Sequence, residues 1–229
     1  MRPTHFRTLS IAAVALFLFA GSAMGQTKST PILNTVELQQ LVKRAEPGDN
    51  ARLAAHFAAL AEQYTAQAKR HTAMAQAFIG SSTRRTGDST ADHCKRLAEL
   101  NAQLASTLRE LVTHHEKLAG GAASIAPPGS SRFESGAGAR EPTDEELRAL
   151  AARASTPADH RALEEYFLTA AKRYTADANE HTTMAAAYRG TKIASAAVHC
   201  DRLVTLSRDA AKEANAAAAR HKELAGIAR

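Results

Sequence analysis

The chain has 229 residues, a formal net charge of +6, 45% hydrophobic residues, no Trp and two Cys, enough for one or two small domains. Its basic residues are scattered rather than gathered into a stripe, and no nucleic-acid motif is present, which argues against nucleic acid as a partner. Beyond the N-terminal region no stretch approaches the roughly 20 apolar residues that a membrane-spanning helix needs.

Residues 1–25 read as a secretory signal peptide. Arg2 and Arg7 supply the charged start, Leu9 to Ala20 the apolar centre, and Ala23-Met24-Gly25 the small-x-small cleavage site. The mature chain is expected to begin near Gln26, in the periplasm or secreted. No Cys precedes Cys94, so a lipid-modified cysteine at the new N-terminus is not expected.

Strand signals are missing, and the alanine-rich composition favours slim, closely packed helices. The expected fold class is therefore all-α. Thr35 is positioned to cap a short helix from Val36 to about Glu46, ended by Pro47-Gly48. Asp49 or Asn50 then caps a long helix to Ile79. Its seam reads Leu53, Phe57, Leu60, Tyr64, Gln67, His71, Met74 and Phe78 at alternating spacings of 4 and 3, the mark of a helix packed along its whole length. Ser81 to Ser89 reads as a turn, and Ser89 with Asp92 resembles a capping box opening the next helix. Leu97, Leu100, Leu104, Leu108, Leu111, His115 and Leu118 lie on one side of that helix, with His93 on the same face and Cys94 at its edge.

Residues 122–142 read as a Gly/Ser/Pro linker. The pattern then repeats: a short helix from Thr143, a long helix with Pro157 at its first position, a shorter turn after Gly190, and a last helix with His199 and Cys200. From Leu53 to Gly80 against Leu163 to Gly190, 13 of 28 positions are identical without a gap; from His93 to Gly120 against His199 to Gly226, 10 of 28 match. The chain thus divides into a first helical repeat, residues 26–121, and a second, residues 143–229. Two hairpins, each preceded by a short helix, make an up-down four-helix bundle with a pseudo-twofold axis along its length. Two hairpins pairing with a second chain, as a homodimer, are the alternative.

Metal- and haem-ligating residue types recur at matched positions. After residue 25 the only Met are Met74 and Met184 and the only Cys are Cys94 and Cys200; His71 pairs with His181, His93 with His199 and His115 with His221. An axis along the bundle would gather His71, Met74, His93, Cys94, His181, Met184, His199 and Cys200 at one end, with Gln67 and Asp177 as supporting partners. His115 and His221 would form a layer at the far end, beside His56 and His160.

Three readings follow. An exported chain with two Cys favours a Cys94–Cys200 disulfide, giving a disulfide-stabilised structural or interaction module with an unknown protein partner. His, Met and Cys together are the donor set of copper, giving a periplasmic metal-binding protein. A haem held by His71 and His181, or by Met and His, is a third, without covalent attachment because no CxxCH occurs. No pair of core carboxylates, no nucleophile–base pair and no phosphate loop appears, so the chain is not expected to be an enzyme.

Overall fold

A computed structural model describes residues 32–80, 84–120 and 142–227, with only the backbone described at 84–88. The expected signal peptide, and all of the linker except Pro142, lie outside these residues. The described residues are all-α: six helices, one 3-10 turn (Ala194–Ala196) and no strand. The helices are α1 (Thr35–Arg44), α2 (Pro47–Ile79), α3 (Arg84–Leu118), α4 (Asp144–Arg153), α5 (Pro157–Arg189) and α6 (Ala197–Ile227).

The helix starts follow capping chemistry. Asn34, one residue earlier than expected, caps α1: its side chain accepts from the Glu37 N–H and the Glu37 carboxylate accepts from the Asn34 N–H. Thr143 with Glu146 and Thr156 with Asp159 do the same for α4 and α5. Pro47 opens α2 rather than only closing α1, because the N–H that proline lacks would have no intrahelical acceptor in the first turn. The break between α1 and α2 is made instead by Ala45, which turns left-handed at φ 51°. Asp49 secures the corner by accepting from Arg44 at 2.6 Å and from the Glu46 N–H; the Arg44 guanidinium holds its carboxyl below the usual range. Helix α3 begins at Arg84, inside the expected turn.

The expected row of α3 is buried at Leu97, Leu100, Leu104, Leu108, Leu111 and His115, and only Leu118 reaches 38% exposure; what differs is the centre of the seam. The buried row of α3 is Cys94, Leu97, Asn101, Leu104, Leu108, Leu111 and His115; that of α6 is Cys200, Leu203, Ser207, Ala210, Ala214, Ala217 and His221. Both step by 3 and 4, so the seam runs through the cysteines, and His93 and His199 stand beside it, each about a quarter exposed. Asn101 and Ser207 are polar members of the seam that a search for leucines passes over.

Helices α2 and α3 form one antiparallel hairpin and α5 and α6 the other, and α3 packs on α6. Small side chains on α6 let those two backbones approach. The direction of approach is fixed by cross-contacts: His93 meets Glu213, Glu110 meets His199 and Ser89 meets Arg220. Residue numbers rise on one helix as they fall on the other, so α3 and α6 are antiparallel. Across the molecule Tyr64 meets Asp177 and His71 meets Phe167, making α2 and α5 antiparallel too. The axis relating the repeats is therefore perpendicular to the helices, not along them as expected.

Helices α2 and α5 do not approach closely along their backbones, unlike the other three neighbouring pairs. Their facing residues are bulky (Tyr64, His71, Tyr166, Phe167, Tyr174, His181) where α6 offers alanine. The short helices strap this wider side crosswise. Helix α1 packs on both α2 and α5, and α4 on both α5 and α2, with Arg70 of α2 bonded to Asp144 of α4 at 2.5 Å.

Candidate functional site

The perpendicular axis splits the eight expected site residues into two sets. His71, Met74, His93 and Cys94 lie at the turn end of the first hairpin; His181, Met184, His199 and Cys200 lie at the turn end of the second, which is the opposite end of the molecule. His93 sits at the level of Glu213 and His199 at the level of Glu110. Along α3 the two levels, 93 and 110, are separated by roughly 25 Å at 1.5 Å per residue. A disulfide needs Cα atoms within about 7 Å. Accordingly both cysteines are free and buried, and the expected Cys94–Cys200 bridge is ruled out by the direction of the second hairpin. Burial raises both thiols, Cys200 to about 12 and Cys94 further, so neither is a ready thiolate.

The single copper site drawn from both repeats fails for the same reason. Among the described residues no group of three or more His, Cys, Asp or Glu is placed to hold a metal ion. His93 Nδ1 is instead 2.5 Å from Glu213 Oε1, and His199 Nδ1 3.2 Å from Glu110 Oε2. A haem ligated by both His71 and His181 is likewise untenable, since they lie toward opposite ends, His71 against Phe167 and His181 near His56.

Each end joins the turn of one repeat to the open end of the other. At the first end, His71 stacks on Phe167 (centroids 6.3 Å), Phe167 stacks on His221 (5.5 Å) and Phe78 lies 5.6 Å from His221. His221 Nδ1 is 3.2 Å from His160 Nδ1, so the expected meeting of these two does occur. It occurs beside His71, not in a separate far layer. At the second end, His115 stacks on Phe57 (5.6 Å) with Tyr188 close by. His115 meets Asn50 rather than His56; His56 packs on the other side, edge-on to Phe57.

The second end is a hydrogen-bond chain whose direction is determined. Asn50 Nδ2 donates to the carbonyls of Ala45 and Glu46, leaving Asn50 Oδ1 to accept from His115 Nδ1–H at 2.8 Å. His115 Nε2 must then accept, and Tyr188 donates to it at 2.8 Å. This imidazole is neutral, and burial lowers it to about 3. The pseudo-equivalent positions at the first end hold His160, His221 and Phe78. Phe78 has no hydroxyl, so His221 Nε2 is left buried without a partner.

Between the two ends runs a central polar layer. Tyr64 donates to Asp177 Oδ2 at 2.7 Å, and Asn101 Nδ2 donates to the Tyr174 hydroxyl at 2.7 Å and to the Leu97 carbonyl. Burial raises the Asp177 carboxyl, and the Tyr64 hydrogen bond opposes that rise. Tyr64 and Tyr174 were legible as aromatic seam residues; their partners were not, because the repeats carry Gln67 and Asn101 where the other copy has Asp177 and Ser207.

Comparison with known protein families, with curated proteins and with solved structures finds no match to this chain.

Proposed function

We propose that this chain is an exported, non-catalytic helical module that acts as a scaffold or docking partner for another protein. Its four long helices form an up-down bundle, opened on the α2–α5 side and strapped there by the two short helices. The supporting observation is how the interior polar groups are used. Tyr64 with Asp177, Asn101 with Tyr174, and His115 with Tyr188 all join one repeat to the other. These groups are engaged with one another in holding the halves together.

The test is isolation of the protein from exporting cells without chelator, followed by intact mass, metal content and sedimentation velocity. The reading expects a leader removed after Gly25, two free thiols and no stoichiometric metal. Retention of residues 1–25 would overturn export, and one copper per chain would overturn the scaffold reading in favour of metal carriage. In-cell crosslinking should then yield one reproducible protein partner that is lost when surface residues of one face are substituted.

A further inference from the structure

The buried polar atoms without a partner are concentrated on one side of the molecule. Among the described residues, His56 Nε2, Gln67 Oε1, both ring nitrogens of His71, the Tyr166 hydroxyl and His181 Nδ1 are buried with no hydrogen bond. These lie on α2 or α5, the pair of long neighbours whose backbones stay apart; fewer lie elsewhere, at His114 Nε2 on α3 and at Ser207 Oγ and His221 Nε2 on α6. A buried polar atom without a partner weakens the interface that hides it, so these atoms weaken the α2–α5 join.

We propose that the α2–α5 seam is an acid-released clasp: in mild acid, protonation of His56, His71 and His181 parts the two repeats while each hairpin keeps its helices. His71 is 0% exposed, its ring stacked on Phe167 at 6.3 Å and tilted against Tyr166 at 6.2 Å. A proton on it would have no carboxylate to meet. The charged groups around it are Arg70 on its own helix and Arg173 on α5, both of which oppose its protonation. Asp144 of α4 is engaged by Arg70, and Asp177 of α5 by Tyr64. From α3, Cys94 is a raised, neutral thiol; from α6, neutral His221 stands behind Phe167.

At the other end of the seam His56 and His181 disfavour each other's charge. The Leu33 N–H already occupies His56 Nδ1 at 3.2 Å, and Glu180, next to His181, is itself raised by burial and by Asp177. While the seam is closed, burial lowers His56 and His71 to about 3 and His181 to about 4. Opening returns each toward about 6.5, so each imidazole multiplies the opened population about 30-fold between neutral pH and pH 5.

The parting is read at Cys94 and Cys200, both buried on the inner faces of α3 and α6. The probe is 4,4′-dithiodipyridine on the full chain, which reacts with thiols in acid, with far-UV circular dichroism alongside. Labelling, corrected for intrinsic thiol reactivity, should accelerate by about four orders of magnitude from pH 7.5 to 5 while the helical signal persists. In the His71→Leu/His181→Leu double variant the acceleration should be reduced by about three orders of magnitude. If that variant does not fold, His71→Gln alone should reduce the acceleration about 30-fold. Thiols still protected at pH 4, an acceleration unchanged by the substitutions, or helix loss coincident with labelling would each overturn the clasp.

Discussion

Because the two ends of the molecule are built on one frame, each serves as the control for the other, and Tyr188→Phe tests this most directly. The substitution removes one hydroxyl, fully buried and 2.8 Å from His115 Nε2. It leaves the ring and its packing in place and reproduces the Phe78–His221 arrangement of the opposite end. Leaving one buried acceptor unsatisfied costs about 1–3 kcal/mol. With a urea m-value of about 2 kcal/mol/M, the midpoint should fall by roughly 1 M. The melting temperature should fall by about 4–8 °C for a central cost of about 2 kcal/mol. The converse, Phe78→Tyr, places a hydroxyl at the orphaned His221 Nε2 and should recover about 1 kcal/mol. In a His115→Leu background Tyr188→Phe should cost less than half as much, because the shared bond is already gone. Urea unfolding followed by circular dichroism at pH 7.5 reads all four proteins. A loss below about 0.5 kcal/mol for Tyr188→Phe, with m unchanged, refutes the assigned chain from Tyr188 through His115 to Asn50.

The thermal midpoint should not move on adding reductant, and non-reducing mass spectrometry should find two free thiols; a reductant-sensitive midpoint would mean that the cysteines meet after all. Ala214→Leu, at a buried position on the seam of α6, should destabilise by about 1–3 kcal/mol through overpacking. Ala216→Leu, on the exposed face of the same helix, should stay within about 0.5 kcal/mol; equal losses at both sites would contradict the seam. His115 and His221 are both lowered to about 3 in the folded chain, so the unfolded chain takes up protons first as pH falls below about 6.5. Their contribution is intact at neutral pH and should decline by about 2 kcal/mol each on reaching pH 5, read as a urea midpoint that drops with acidification and drops less in His115→Leu.

The helices were legible because their signals are local. The 4-and-3 spacing from Leu53 to Phe78, the Thr143 cap and the Pro157 start each act within one or two turns, and each is present in the structure. The burial of His71, Met74, His181 and Met184 follows from the same periodicity. On α3 the leucines alone give a phase that places His93 inside. Including Asn101 would have shown that Cys94, Leu97, Asn101 and Leu104 make the regular row. A polar residue on a seam reads as an interruption until its partner, here Tyr174, is known.

The relative direction of the hairpins was not legible, and the Cys94–Cys200 bridge and the metal and haem sites shared between the repeats all depended on it. Internal identity shows that two units share a structure but is silent on whether they are related by an axis along the helices or across them. One kind of sequence signal does bear on the choice. An axis along the helices gathers like with like, so His71 would face His181 and the matched cysteines would adjoin. An axis across them sets each turn against the partner's open end, so contacts join different positions of the repeat. Divergence between the copies should then be coupled across those positions, and it is: where the first copy has Asn50 and the second Tyr188, both bond His115, while the reciprocal end has His160 and Phe78 around His221. The Asn50/His160 and Phe78/Tyr188 differences look like unrelated drift within either repeat. They become one event per end only when the second hairpin is turned end for end.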